Sequence, residues 1–187
     1  MKELIKRNIS GKKVLVFFIF TNCVYAFMLL VTIPALMKFS GGMKILDMIP
    51  TGYNAQYVNA LLNNLGEQGR HFYLFNQIPV DMIYPFLFGI SYCLLLAYIL
   101  SKIGMLNSNY FYLCLLPLFG GLFDYFENLG IITILNSYPH NSGWLSQITN
   151  IFSILKSLFT SFYFISLIIF IIATVVIKLF TKPARNK

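Results

Sequence analysis

Asp124 and Glu127 stand three residues apart in the apolar run Leu122–Gly130, which reads LFDYFENLG. In a helix that spacing puts both carboxylates on one face, and Asn128, four residues after Asp124, extends it. A charge at mid-bilayer costs roughly 2.5–3.5 kcal/mol even on a lenient insertion scale. Asn or Ser would hold helix register more cheaply, so the acids point to a function. Two close carboxylates can share a proton and work as acid and base, or they can hold a cation. The competing reading is a polar knot that only fixes the register of two helices.

Further groups can join this face. Lys156 is a lone basic residue immediately before the last apolar run, and Asp81 stands just before the second, with Tyr84 and Pro85 one turn on. Asp81 equally suits the N-cap or first turn of a helix, where an acid meets the helix dipole. Lys156 can also snorkel to an interface. Arg70, in the run GRHFY, is expected at the mouth. The candidate pocket is therefore Asp81, Tyr84, Asp124, Glu127, Asn128 and Lys156, with Arg70 above it. No residue is assignable as catalytic.

Positioning these groups requires long helices. Val14 to Met37 carries no charge and exceeds the ~20 residues that cross a bilayer core. A secretory signal has a shorter apolar stretch, so this run reads as a retained span. Met82–Leu100, Tyr110–Leu135 and Ser157–Ile177 are the other apolar runs. Lipid satisfies no bare backbone, and runs this continuous do not suit barrel strands, so all four are expected to be helices. The expected class is an all-α integral membrane protein. It is a four-transmembrane-helix bundle in a single membrane domain, with spans at about 14–37, 80–101, 110–135 and 149–179. At 1.5 Å per residue, Glu127 lies roughly 12 Å below Leu135 and Asp124 roughly 16 Å. Lys156 lies roughly 12 Å from a helix start near Ile148, so antiparallel neighbours can pair it with either acid.

Composition agrees with this. Hydrophobic residues make up 58% of the 187 and charged residues only 11%, against about 25% in a soluble domain. The net charge of +8 would suggest nucleic acid in a soluble chain. Here the basic residues flank the apolar runs: Lys2, Lys6, Arg7, Lys12 and Lys13 before the first, and Lys178, Lys182, Arg185 and Lys187 after the last. That pattern suits anionic lipid rather than nucleic acid. With Lys102 between the second and third runs, it places both termini in the cytoplasm. The segment 38–79 and the loop 136–150 then lie outside. Asn54–Leu65 alternates Tyr57, Val58, Leu61, Leu62 and Leu65 with Asn54, Asn59, Asn63 and Asn64. It reads as an amphipathic helix stopped at Gly66, making the outer loop partly helical. Phe72, Tyr73 and Phe75 suit the membrane interface.

No phosphate loop, dinucleotide fingerprint, zinc-protease or serine-hydrolase motif is present. Neither His71 nor His140 lies in a span, and zinc-ligand spacing is missing, so no metal or cofactor is indicated. Cys23, Cys93 and Cys114 form no C-x-x-C pair and read as packing residues. Signal peptidase II is also a small four-span protein with two catalytic aspartates, but its Gly-Asn-Leu-x-Asp-Arg motif is absent. Three functions follow as expectations. The first is binding or transport of a cation, a proton-coupled solute or a lipid headgroup, with a second copy or a partner subunit completing any path. The second is an intramembrane carboxylate hydrolase acting on a lipid or peptide. The third is an accessory subunit of a membrane complex. Abundant Lys, Asn and Ile, without a targeting peptide, suit a bacterial plasma (inner) membrane.

Overall fold

A computed structural model describes residues 2–140 and 143–180, so the basic residues Lys182, Arg185 and Lys187 lie outside the described residues. Among the described residues the chain is helical, with no strand. Four helical stretches are long and apolar enough to cross a membrane: Gly11–Phe39, Ala55–Lys102, Asn109–Ser137 and Gly143–Phe180. A short helix α1 (Lys2–Asn8) precedes them.

Two of the four stretches are interrupted in the same way. The first runs as α2 (Gly11–Phe27), a π-helical turn Met28–Thr32, and α3 (Ile33–Phe39). The second runs as α4 (Ala55–Phe72), a π-helical turn Tyr73–Gln77, and α5 (Ile78–Lys102). Each π turn ends just before a proline, Pro34 or Pro79. Proline has no N–H to give the ladder, and the widened turn absorbs the mismatch. The two irregular turns are tied together where Thr32 Oγ1 lies 2.5 Å from Gln77 Oε1. Segment 38–79 is thus largely part of the second helical stretch. Tyr73, expected at the membrane interface, is fully buried instead.

Within α4 the expected amphipathic pattern holds. Asn54 caps it by accepting from the Tyr57 N–H at 2.8 Å, Val58, Leu61, Leu62 and Leu65 are buried, and the four asparagines are exposed. Gly66 is non-helical, with φ 61° and ψ −173°, so the amphipathic helix stops there as expected and a second helix follows directly beyond the kink, to Phe72.

The third stretch joins a 3-10 segment (Asn109–Leu115) to α6 (Leu116–Ser137), and the fourth is α7 (Gly143–Phe180). The connection expected over 136–150 is therefore much shorter. The seam facing the bundle explains why α7 starts early: Ser146, Thr149, Ser153, Lys156, Thr160, Tyr163, Leu167 and Phe170 alternate at three and four residues. Its first half is small and polar, and its second half is large and apolar. Small residues let backbones meet. A Cβ on Gly121 would fall 2.6 Å from the Pro85 carbonyl oxygen, and one on Gly130 would overlap Thr149.

α5 is the central helix, packing on α2, α6 and α7. Two apolar clusters lie at opposite ends of the bundle. One gathers Tyr92, Leu96, Leu100, Cys114, Tyr163 and Leu167, with Ile5 of α1. The other gathers Leu36, Ile45, Leu46, Leu61, Leu62, Tyr73 and Ile134. α1 lies across the turn between α5 and the 3-10 segment, with Lys2 Nζ 3.5 Å from the Asn107 carbonyl and 5.1 Å from the Phe111 ring. Lys102 sits over Tyr98 at the same end.

Candidate functional site

Between the two apolar clusters lies a polar layer built by α5, α6 and α7. The buried stripe of α6 includes Gly120, Gly121, Asp124, Glu127, Asn128 and Ile131, the three-and-four spacing of one helix face. Both acids consequently point at α7. There Lys156 Nζ lies 3.1 Å from Asp124 Oδ1 and is also ion-paired with Glu127. One ammonium thus clamps both carboxylates, the pairing that the helical rise leads one to expect.

Asp81 enters from α5. Pro85, four residues on, has no N–H, so the Asp81 carbonyl has no partner in its own helix. Asn128 Nδ2 donates to that carbonyl at 3.2 Å. The Asp81 side chain is 3% exposed, and its Oδ2 has no hydrogen-bond partner. Tyr84, one turn on, is half-buried and stacks with Tyr25 of α2 at 5.2 Å between ring centroids.

A fourth acid was not expected. Asp47 lies in the 3-10 turn Leu46–Met48, which the adjacent Ile45 and Leu46, both fully buried, fold back onto the bundle. Its Oδ2 accepts from the buried Tyr73 hydroxyl at 2.8 Å. In sequence Asp47 reads as an ordinary turn residue near Pro50 and Gly52. The one available signal is rarity, since the chain has only six acids.

Asp47, Asp81, Asp124 and Lys156 line one cavity of about 350 Å³, together with Tyr25, Tyr84 and Phe88. Ser157, Thr160 and Ser161 of α7 complete its wall. Four of the six acids of the chain, counting Glu127, therefore surround a single lysine. Fully ionised, the cluster would carry three uncompensated negative charges, a heavy cost in a dry interior. Protons or a bound cation must offset it. Among the described residues, no three His, Cys, Asp or Glu are grouped to hold a metal ion.

No known family, curated protein or solved structure matches this chain.

Arg70 does not join the cavity. Its guanidinium donates to the Leu62 carbonyl at 2.8 Å, where the break at Gly66 interrupts the helical ladder, and lies 4.0 Å from the Tyr138 ring. It secures the kink in α4 rather than the mouth of a pocket. Tyr53 is buried in the apolar cluster at this end, and its backbone N–H donates to Asn150 Oδ1 of α7 at 2.7 Å. Its phenol is buried without a hydrogen-bond partner, and burial, reinforced by the negative charge of Glu127, pushes its pKa well up from 10.0.

Proposed function

We propose that the chain is an integral membrane protein whose acidic cleft binds an organic ammonium ion. The observation that carries this reading is Asp81: a carboxylate almost wholly buried, with one oxygen unpartnered, facing a cavity that also takes Asp47 and Asp124. A cation there would offset the surplus negative charge. The aromatic walls favour an organic cation, because ring faces attract ammonium groups. The cavity volume falls in the ~300–1,000 Å³ range of small-molecule sites.

Orientation follows from the basic residues. α1 and Lys102 gather at one end of the bundle, and α7 carries Lys178 beyond Phe170, whose ring meets Tyr110 at that same end. An excess of Lys and Arg favours the cytoplasmic side, so this end and both termini face the cytoplasm of a bacterial plasma membrane. The Ile45–Tyr53 segment and the cleft then lie toward the outer face.

A hydrolase has less support. Asp124 and Glu127 are both ion-paired with Lys156. Asp47, although its Oδ1 is as unpartnered as Asp81 Oδ2, is held through Oδ2 by the Tyr73 hydroxyl, so Asp81 has no second carboxyl wholly free of a partner for acid–base exchange.

The test is thermal unfolding of the purified protein in detergent at neutral pH, with ethylamine, Na⁺ or Mg²⁺ added. Ethylamine should raise the Tm of the wild type and not that of Asp81→Asn, since a ligand of the native state alone stabilises it. The proposal fails if ethylamine has no effect, or if Asp81→Asn responds like the wild type.

A further inference from the structure

We infer that the ammonium group belongs to a membrane-dissolved amphiphile, a long-chain alkylamine that enters the cleft sideways between α2 and α7. This rests on the cation-binding reading and adds the route and the chemical class of the ligand.

The cavity walls reach the lateral surface on this side. Tyr25 and Leu29 on the first span are 41% and 38% exposed, and Ser161 on the last is also exposed, yet all three line the cavity that holds Asp81. Their outward neighbours are lipid-facing in character: Leu30 and Val31 on one side, Leu158, Phe162 and Ile165 on the other. On the end-on side Asp47, Met48 and Pro50 line the cavity, on a segment anchored by the fully buried Ile45 and Leu46 and by the Tyr73–Asp47 hydrogen bond. A solute from water meets this segment, whereas a chain lying in the bilayer meets an open flank.

Several hydroxyls of α7 are satisfied within the helix itself. Thr149, Ser166 and Thr174 each donate to the carbonyl four residues before them, at 2.8, 2.8 and 2.7 Å. Such back-bonding is how a hydroxyl is ordinarily satisfied in a membrane helix. Ser157, Thr160 and Ser161 face the cavity and have no hydrogen-bond partner among the described residues. They offer acceptors along the path from the flank to the acids.

A primary amine fits better than a quaternary one. Its N–H groups can donate to the unpartnered Asp81 Oδ2 and to these hydroxyls, while Tyr84 and Tyr25 stack beside the charge. The hydrocarbon tail would leave through the flank into lipid, and no long apolar tunnel is then needed.

The experiment is photolabelling of the full chain in lipid nanodiscs with a dodecylamine that carries a diazirine at mid-chain. Labelled peptides are mapped by mass spectrometry, and the ethylamine thermal shift is measured in parallel. Labels are expected on the Tyr25–Leu29 and Ser157–Ser161 stretches. Excess ethylamine should reduce them at least tenfold in the wild type, and Asp81→Asn should reduce them by a similar factor. Labels on the Ile45–Tyr53 segment, or labels unmoved by excess ethylamine, would overturn lateral entry. If the ethylamine shift persists under that outcome, cation binding stands and only the amphiphile is lost. If the ethylamine shift is also absent, both fall.

Discussion

The side-chain amide of Asn128 donates to the backbone carbonyl of Asp81 at 3.2 Å, the carbonyl that Pro85 leaves without a partner in its own helix. The contact locks α6 to α5 one residue beyond Glu127 and fixes where Asp81 turns into the cleft. It also makes a proline in one helix depend on an asparagine in another.

Asn128→Ala should therefore destabilise the bundle by about 1 kcal/mol, because a buried carbonyl is stranded. Pro85→Ala restores the N–H that can reach Asp81, so the Asn128→Ala cost should shrink in its presence. A double-mutant cycle of unfolding in detergent and SDS reads this coupling, and additive effects would show that the carbonyl does not need Asn128.

Lys156→Met should be the most damaging single change in the polar layer. It leaves Asp124 and Glu127 buried without a partner, at about 3–5 kcal/mol. Adding Asp124→Asn and Glu127→Gln to it should recover most of the loss. A Lys156→Met protein as stable as the wild type would mean that the ammonium reaches water instead.

Helix contact is equally open to test. Gly121→Ala puts a methyl 2.6 Å from the Pro85 carbonyl oxygen, backbone that cannot swing aside, and should cost about 1–3 kcal/mol. Gly143→Ala, with nothing within 4 Å, should be neutral or slightly favourable. Equal effects in parallel unfolding curves would contradict the close α5–α6 approach.

Tyr53 gives an alkaline signature. Burial raises its folded pKa above the unfolded value of 10.0, so the folded state holds the proton longer. The stabilisation is present below pH 10 and is lost as pH rises beyond it, with a slope of up to about 1.4 kcal/mol per pH unit. Tyr53→Phe removes that share of the slope and should cost little at neutral pH, since the hydroxyl has no partner. An unchanged alkaline limb in Tyr53→Phe would assign the loss to other groups.

Much of the polar layer is legible in the sequence, because helical rise is regular. The Asp124–Glu127–Asn128 face follows from three-and-four spacing, and the pairing with Lys156 is reachable by counting along antiparallel helices, although α7 starts at Gly143 rather than near Ile148. The amphipathic face of α4 is legible for the same reason. Asp47 is not, since its place depends on a return of the chain onto Tyr73, a contact 26 residues away. Arg70 misleads in the opposite direction. Its charge suggests a pocket mouth, but the kink at Gly66 frees a nearby carbonyl that takes the guanidinium first. The early start of α7 is hidden because its seam there is Ser and Thr, which hydropathy scores as loop.

The most direct measurement is equilibrium binding of radiolabelled ethylamine to the purified protein in detergent at neutral pH. Cation binding predicts one saturable site per chain, at least tenfold weaker in Asp81→Asn, undisturbed by excess Mg²⁺, and weakening as pH falls because protons compete for the same carboxylates. An absence of saturable binding, or equal binding by Asp81→Asn, would contradict it.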